Sequence, residues 1–363
     1  MTLLAVDAAE VFRWIGYILV AMICFMFMIV VHELGHYTAG KLLKFKINEF
    51  AIGFGPAIFK HKNKKTGEVF SVRCIPAGGF CAFEGEDEEA QSPEAFNAHP
   101  VWKRIIVLAA GVTFNFISAI VILNFFFMGY GEAMPQVLAT YEYTDGADQL
   151  FEEGDVIYSV DGERMYSLLD AYKLNGSVSE NGVHEIVVIR GGEFVTIETS
   201  RHDYETTATD DYGNEVTTSA HGLGISYALT RYKMGYGEAL GRSFTFSGDL
   251  VVLTVKSIGQ LFTGAAEIGD TMGGTVTAVS ALVQLTQSGL PAVAYGVAVL
   301  SLSIAFLNIL PLPALDGSRI LFAVIEGIRR KPLNRKVEAV IHTAGLFVFL
   351  GLAILFDVLH FFG

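Results

Sequence analysis

WIGYILVAMICFMFMIVVHELGH, residues Trp14–His36, carries a metal-binding pentad on the end of a membrane-length apolar run. Its first eighteen residues, Trp14–Val31, contain no Asp, Glu, Lys or Arg. On a helix, positions four apart share a face, so His32 and His36 can aim their imidazoles at one ion. Glu33 sits beside them, placed to take a proton from water activated there. In a soluble helix this pentad would point to an ordinary zinc protease. As the continuation of a spanning segment, it points to hydrolysis inside the bilayer.

Three further stretches reach spanning length: Ile105–Gly131, a segment within Gly289–Leu310, and Ala339–Phe356, the last interrupted only by His342. Each meets the ~20 residues needed to cross ~30 Å of hydrocarbon. Of the 363 residues 52% are hydrophobic and only 17% charged, below the usual quarter of soluble domains. A polytopic α-helical membrane protein with four transmembrane helices is expected. The net charge of −13 argues against nucleic acid as a partner, since binding to phosphates needs a basic face. The start of the first segment carries Asp7 and Glu10 beside Arg13, the wrong pattern for a cleaved signal peptide. Cys24, Cys74 and Cys81 lack CxxC spacing and read as free thiols.

Charge orients the chain. Lys41, Lys44, Lys46, Lys60, Lys62, Lys64, Lys65, Lys103 and Arg104 crowd the first connection, and Arg329, Arg330, Lys331, Arg335 and Lys336 the third. By the positive-inside rule both face the cytoplasm. The long acidic connection, with Glu152, Glu153, Asp155 and Asp161, then lies outside together with both termini.

The expected organisation is a first helix with HExxH over 1–46, a re-entrant β-hairpin region over 47–100 and a second helix over 101–131. An extracytoplasmic α+β domain follows over 132–235, then a membrane-surface amphipathic region over 236–286 and the last two helices over 287–363. Within the hairpin region, alternating residues around Gly53-Phe54-Gly55-Pro56 and Val69-Phe70-Ser71-Val72-Arg73 read as strands joined by a basic turn. Two readings fit it: a strand edge to which an extended substrate pairs, or a plain hairpin lying on the headgroups. In the outer segment, Val137–Tyr143, Val156–Val160, His184–Arg190 and Phe194–Thr199 read as strands, with turns at Asp161-Gly162 and Gly191-Gly192. Leu150–Gly162 resembles the central strand motif of a PDZ domain, with Leu168–Leu174 as its short helix. Asp203–Ser219, polar and rich in Thr and Asp, reads as a mobile insertion. Tyr236–Leu261 reads as a helix lying on the outer membrane surface.

A hydrolytic zinc has three protein ligands and an open position. The strongest candidate for the third is Asp316, in Asn308-Ile309-Leu310-Pro311-Leu312-Pro313-Ala314-Leu315-Asp316-Gly317. A lone carboxylate at membrane depth is costly and usually marks function. The two prolines break the helix and allow the chain to turn back towards the pentad. Asp316 also fits as a cap for the helix that follows, on N–H groups near Ser318 and Arg319. Asn308, an amide on the same segment, is placed to orient substrate or donate to an oxyanion. His342 reads as a core or interfacial histidine, and Asn115 as an interhelical hydrogen bonder.

Together the pentad, the Gly53–Pro56 hairpin, the Ala110–Phe116 segment, the PDZ-like core and Asn308–Gly317 resemble the site-2 protease family of intramembrane zinc metalloproteases. The nearest likeness is its bacterial branch with one extracytoplasmic PDZ domain, the RseP/RasP type. The resemblance implies Zn2+ held by His32, His36 and Asp316, Glu33 as catalytic base and Asn308 near the substrate. It implies residence in the bacterial cytoplasmic membrane. Its implied substrates are single-pass membrane proteins already trimmed outside, such as anti-sigma factors and signal-peptide remnants. The resemblance further implies that the PDZ region acts as a size filter and that the hairpin holds the unwound substrate as an added strand. The chain departs from the family pattern at Gly111-Val112, Gly273-Gly274-Thr275-Val276 and Gly317-Ser318. Two other classes compete: a membrane-anchored PDZ adaptor with no catalytic role, and a metal or ion transporter. The intact pentad with Asp316 argues against the first, and the absence of an internal repeat against the second.

Overall fold

The computed structural model describes residues 8–86, 92–165, 182–209, 215–263 and 275–362. The chain divides into two units, Met1–Phe126 with Leu240–Gly363, and Phe127–Ala239.

The first unit is helical. Its first helix, α1 (Ala8–Leu42), has 35 residues and at ~1.5 Å per residue outruns the hydrocarbon layer. It ends in a Schellman closure: Lys44 takes a left-handed φ of 65°, its N–H bonds Lys41 O at 3.2 Å, and Phe45 N–H bonds Gly40 O at 2.8 Å. The other helices are α2 (Val101–Gly129), α3 (Tyr236–Thr263), α4 (Thr275–Gln287), α5 (Leu290–Ile309), α6 (Asp316–Arg329) and α7 (Arg335–Phe362). Among the described residues, four helices are long and apolar enough to cross a membrane: Glu10–Leu42, Val101–Gly129, Leu290–Ile309 and Arg335–Val358. These are the four expected spans. The separate short helix α4 was not foreseen, because the uncharged run from Thr271 to Leu315 hides its boundary at Gly289. Its Leu282 and Val283 pack with Ala21 and Met28 of α1 and Val293 and Val297 of α5.

Between α1 and α2 lie β1 (Ile47–Lys62) and β2 (Val69–Phe83), the two expected strands. Their pairing is folded back on itself. Glu49–Ile52 pairs with Ala82–Gly79 on one side and with Val69–Val72 on the other, while Ala57–Lys62 pairs with Arg73–Val69. The result is a ribbon of four short runs, with Gly79–Phe83 at one margin and Ala57–Lys62 at the other. The ribbon is seated on α1 through Phe45, Ile47 and Phe83, which cluster with Phe96, Val107 and Leu108.

A buried ion-pair chain ties the remaining helices together. Arg104 of α2 donates to Glu326 of α6 at 2.8 Å, and Glu326 also accepts from Arg335 of α7 at 2.9 Å. Buried charges in such a site are tolerable only when paired, so losing one partner is costly.

The second unit contains a sheet ordered β10-β3-β4-β6-β7, with β5 beside β4. Its strands are β3 (Glu132–Thr140), β4 (Val156–Val160), β5 (Glu163–Arg164), β6 (His184–Arg190), β7 (Glu193–Thr199) and β10 (Ile225–Tyr232). Inward residues Val137, Phe151, Ile157, Val160, Ile186, Val188 and Ile197 form one core. The expected turns at Asp161-Gly162 and Gly191-Gly192 are two-residue hairpin loops with both residues at positive φ, the type I′ pattern. Leu168–Leu174 lies outside the described residues.

One expectation is corrected. Asp203–Ser219, read as a mobile insertion, is regular strand over its described parts: β8 (His202–Thr209) and β9 (Glu215–Gly222) pair in unbroken register from His202↔Gly222 to Thr209↔Glu215. The segment is polar by composition, but Thr206, Thr207, Thr209, Val216, Thr217 and Thr218 are β-branched and favour strand. The base of the hairpin is fastened by His202, which bonds Asp145 at 2.6 Å and stacks on Tyr143.

Candidate metal centre

One turn of α1 separates His32 from His36, and their rings stand edge to face with centroids 4.8 Å apart. The two Nε2 atoms approach to 3.2 Å. Asp316 Oδ2 lies 2.9 Å from His32 Nε2 and 3.3 Å from His36 Nε2. His32 and His36 are each 7% exposed. The three residues form a candidate metal-binding group with all donor atoms within 4.8 Å of one another.

The donor set fits zinc. For tetrahedral coordination with Zn–N and Zn–O of ~2.0–2.1 Å, ligand atoms stand ~3.3 Å apart. The triangle here has edges of 2.9, 3.2 and 3.3 Å. His36 is also held in the required tautomer. Its Nδ1–H donates to the Val107 carbonyl at 2.9 Å, which leaves the Nε2 lone pair directed at the triangle.

Close helix packing makes this possible. A Cβ on Gly35 would lie 2.3 Å from the Ala110 carbonyl oxygen, and one on Gly111 would lie 2.5 Å from His36 Nε2. The α1–α2 crossing therefore has no room for a side chain at either position, and α2 presses directly on the imidazole pair. Sequence reasoning gave Gly35 and Gly111 no packing role and did not name Val107. The available signal was small-residue spacing, Gly35 against Ala110-Gly111, of the kind that lets helix backbones approach.

Asp316 arrives by a different route. Pro311 and Pro313 stop α5, as expected. Ala314 then takes φ of 72°, a left-handed conformation uncommon outside glycine. That turn is braced by α7, where His342 Nδ1 accepts the Ala314 N–H at 3.2 Å. Gly317 is wedged against α5, since a Cβ there would stand 2.2 Å from Leu310 O. Asp316 becomes the first residue of α6, with Leu315 at the N-cap position and no side-chain cap bond. Its carboxylate is directed to the histidines.

Glu33, half-buried, shares a cavity of about 300 Å³ with His36 and Asp316. Its walls include Phe80, Cys81 and Phe83 of the ribbon margin. The ribbon runs alongside Glu33, with room for a methyl group between them: a Cβ on Gly79 would stand 3.6 Å from Glu33 Cγ, an ordinary van der Waals distance. Asn308 makes no hydrogen bond to the triangle: its Nδ2 donates to Ile304 O at 3.0 Å, one turn back on α5. Asn115, read as an interhelical hydrogen bonder, is fully buried with its Nδ2 3.5 Å from His32 Nδ1.

The sequence model of Peptidase family M50 matches residues 20–352, nearly the whole chain. The chain belongs to peptidase family M50. Relatives provisionally named zinc metalloproteases are similar over nearly their whole length. One from Clostridium perfringens (strain 13 / Type A) is 30% identical over 340 residues, covering 93% of this chain and 96% of that protein. One from Agrobacterium fabrum is 30% identical over 358 residues, covering 93% and 94%. One from Fusobacterium nucleatum is 30% identical over 345 residues, covering 92% and 94%. As a member of M50, the site-2 protease family, the chain is a membrane metalloprotease with Zn2+ as its cofactor.

Proposed function

We propose that this M50 peptidase cleaves peptide bonds within the membrane-spanning segments of single-pass proteins already shortened on their outer side. His32, His36 and Asp316 hold the zinc, and Glu33 is the catalytic base. The observation that carries this reading is the triangle of donor atoms, with edges of 2.9–3.3 Å, opening beside Glu33 into a cavity walled by a strand margin.

A zinc ion bound there supplies Lewis acidity, which brings the pKa of water towards neutrality and polarises a carbonyl. The protein's own groups do the rest. Glu33 takes the proton from the attacking water and returns it to the leaving amide nitrogen. The Gly79–Phe83 margin receives the substrate as an added strand. A helical segment hides its peptide groups in its own hydrogen bonds, and extension onto a strand edge exposes the scissile carbonyl while keeping the backbone bonded. Asn308 lies near the substrate, where it orients the chain or donates to the oxyanion.

The Phe127–Ala239 unit is read as a PDZ-like filter outside the cytoplasmic membrane that excludes intact ectodomains. The Lys and Arg excess in the first and third connections supports this orientation, with both termini outside. Remnant signal peptides and trimmed anti-sigma factors have the required form. Cleavage of the latter would place the enzyme in regulated intramembrane proteolysis.

Co-expression with tagged, truncated single-pass proteins tests the reading. Glu33→Gln is expected to lower cleavage by about 10²–10⁴-fold while zinc content stays stoichiometric. Undiminished cleavage by that variant would remove the assigned base. A wild-type protein that holds zinc and captures such segments without cutting them would favour the adaptor reading instead.

A further inference from the structure

Each zinc-binding imidazole needs its second ring nitrogen protonated and given to an acceptor. A neutral ring has one N–H and one lone pair, and the lone pair is committed to the metal. For His36 the acceptor is the Val107 carbonyl. His32 also presents Nε2 to the triangle, so its Nδ1 must carry the proton. The group facing that Nδ1 is the Asn115 carboxamide, at 3.5 Å through Nδ2. That arrangement sets donor against donor. Meanwhile Asn115 Oδ1 is buried with no hydrogen-bond partner, in a residue with no exposed surface. An orphaned acceptor in such a place costs ~1–3 kcal/mol.

Half a turn about the Asn115 Cβ–Cγ bond cures both faults at once. It brings Oδ1 to the His32 Nδ1–H and moves the NH2 away. We infer that Asn115 is the positioning residue for His32, its Oδ1 accepting the Nδ1–H and fixing the tautomer and ring plane in which Nε2 meets zinc. This inference rests on the zinc-centre reading above. It makes one face of α2 the support for both histidines. Val107, Gly111 and Asn115 recur every four residues, so they lie along one stripe: a carbonyl for His36, a gap that admits both rings, and a carboxamide for His32.

The role is separable from packing by two substitutions of similar size. Asn115→Leu fills the space without an acceptor, and Asn115→Asp keeps an acceptor in the same place. Full-length protein in detergent is stripped of metal, and zinc affinity is measured by competition with a chromophoric chelator. Melting of the metal-free forms provides a control on folding. Asn115→Leu should bind zinc about 10–100-fold more weakly, with Asn115→Asp within about threefold of wild type. Asn115→Ala replaces the leucine variant if that one does not fold, with the same expected loss. Wild-type affinity in the variant lacking an acceptor, or an equal loss in Asn115→Asp, overturns the inference. His36→Ala keeps the two readings apart. If it loses zinc while Asn115→Leu does not, only the role of Asn115 fails. If it binds zinc as wild type does, the centre itself is misplaced and this inference falls with it.

Discussion

The sheet of the Phe127–Ala239 unit buries Ile157, Ile186 and Val188 completely, whereas the β1–β2 ribbon leaves Ile58, Phe59 and Ile75 at least half exposed. The sheet alternates apolar and polar residues around a core of its own, and its two tight hairpins hold a regular register. The ribbon has repeated register shifts, draws its buried side chains from contacts with α1 and α2, and brings one margin to the cavity beside Glu33. Unpaired strand margins are ordinarily a hazard that proteins blunt. An exposed apolar ribbon in water would invite aggregation; the re-entrant placement expected from the sequence would give its Ile and Phe side chains a matching solvent. The difference teaches that one β region packs around a core of its own and the other depends on neighbouring helices; under the proposed function, that second region is completed by a substrate strand.

The sharpest way to break that comparison is to move α2 against the ribbon's neighbours. Gly111→Val puts its Cβ 2.5 Å from His36 Nε2 and 2.8 Å from His32 Cε1, and zinc affinity should fall by at least about tenfold while the sheet unit melts as before. Retained stoichiometric zinc would show that the crossing has slack. The reverse test removes a buried side chain from the sheet. Ile186→Ala should destabilise that unit by about 2–5 kcal/mol, measured by denaturant titration with limited proteolysis, and leave zinc content unchanged. Loss of zinc in that variant would mean the two regions are not independent.

The smallest effect concerns acid. Burial pushes the Glu49 carboxyl of the ribbon up, but hydrogen bonds from Ser71 at 2.6 Å and Arg73 at 2.7 Å outweigh it, and the net shift is downward. In the sheet, bonds from His184 and the Glu185 N–H hold Asp161 below its ordinary value. Groups depressed in the folded state stabilise it above their unfolded pKa values, about 4.3 and 3.9, and lose that contribution as pH falls through the folded values. Glu49→Gln and Asp161→Asn should each cost under about 1 kcal/mol at neutral pH, and the difference from wild type should vanish well below pH 4. A cost that persists in acid would point to packing instead of charge.

Much of this was legible before any coordinates. Spans announce themselves by what they exclude, and Trp14–Val31 excludes every charge. The pentad with Asp316 could be paired because a carboxylate at membrane depth demands a partner. Groups that reveal themselves only across the chain were harder to see. The Val107 carbonyl belongs to the backbone and leaves no mark in the residue letters, though it orients His36 from seventy-one positions away. The doubled pairing of Glu49–Ile52 was hidden because an alternating pattern shows that a strand exists, not how many neighbours it has. The β8–β9 hairpin was missed because threonine counts as polar in composition and as β-branched in propensity, and here the second property decided.

The loop carrying Asp316 leans on α7, where a Cβ at Gly345 would stand 2.3 Å from Pro313 Cβ. A bulkier residue there should push the turn outward and draw the carboxylate off the imidazoles. In a genetic screen, such a change in the last helix would therefore mimic metal starvation. It would sort with the histidine mutants while lying 309 positions downstream of His36 in the chain.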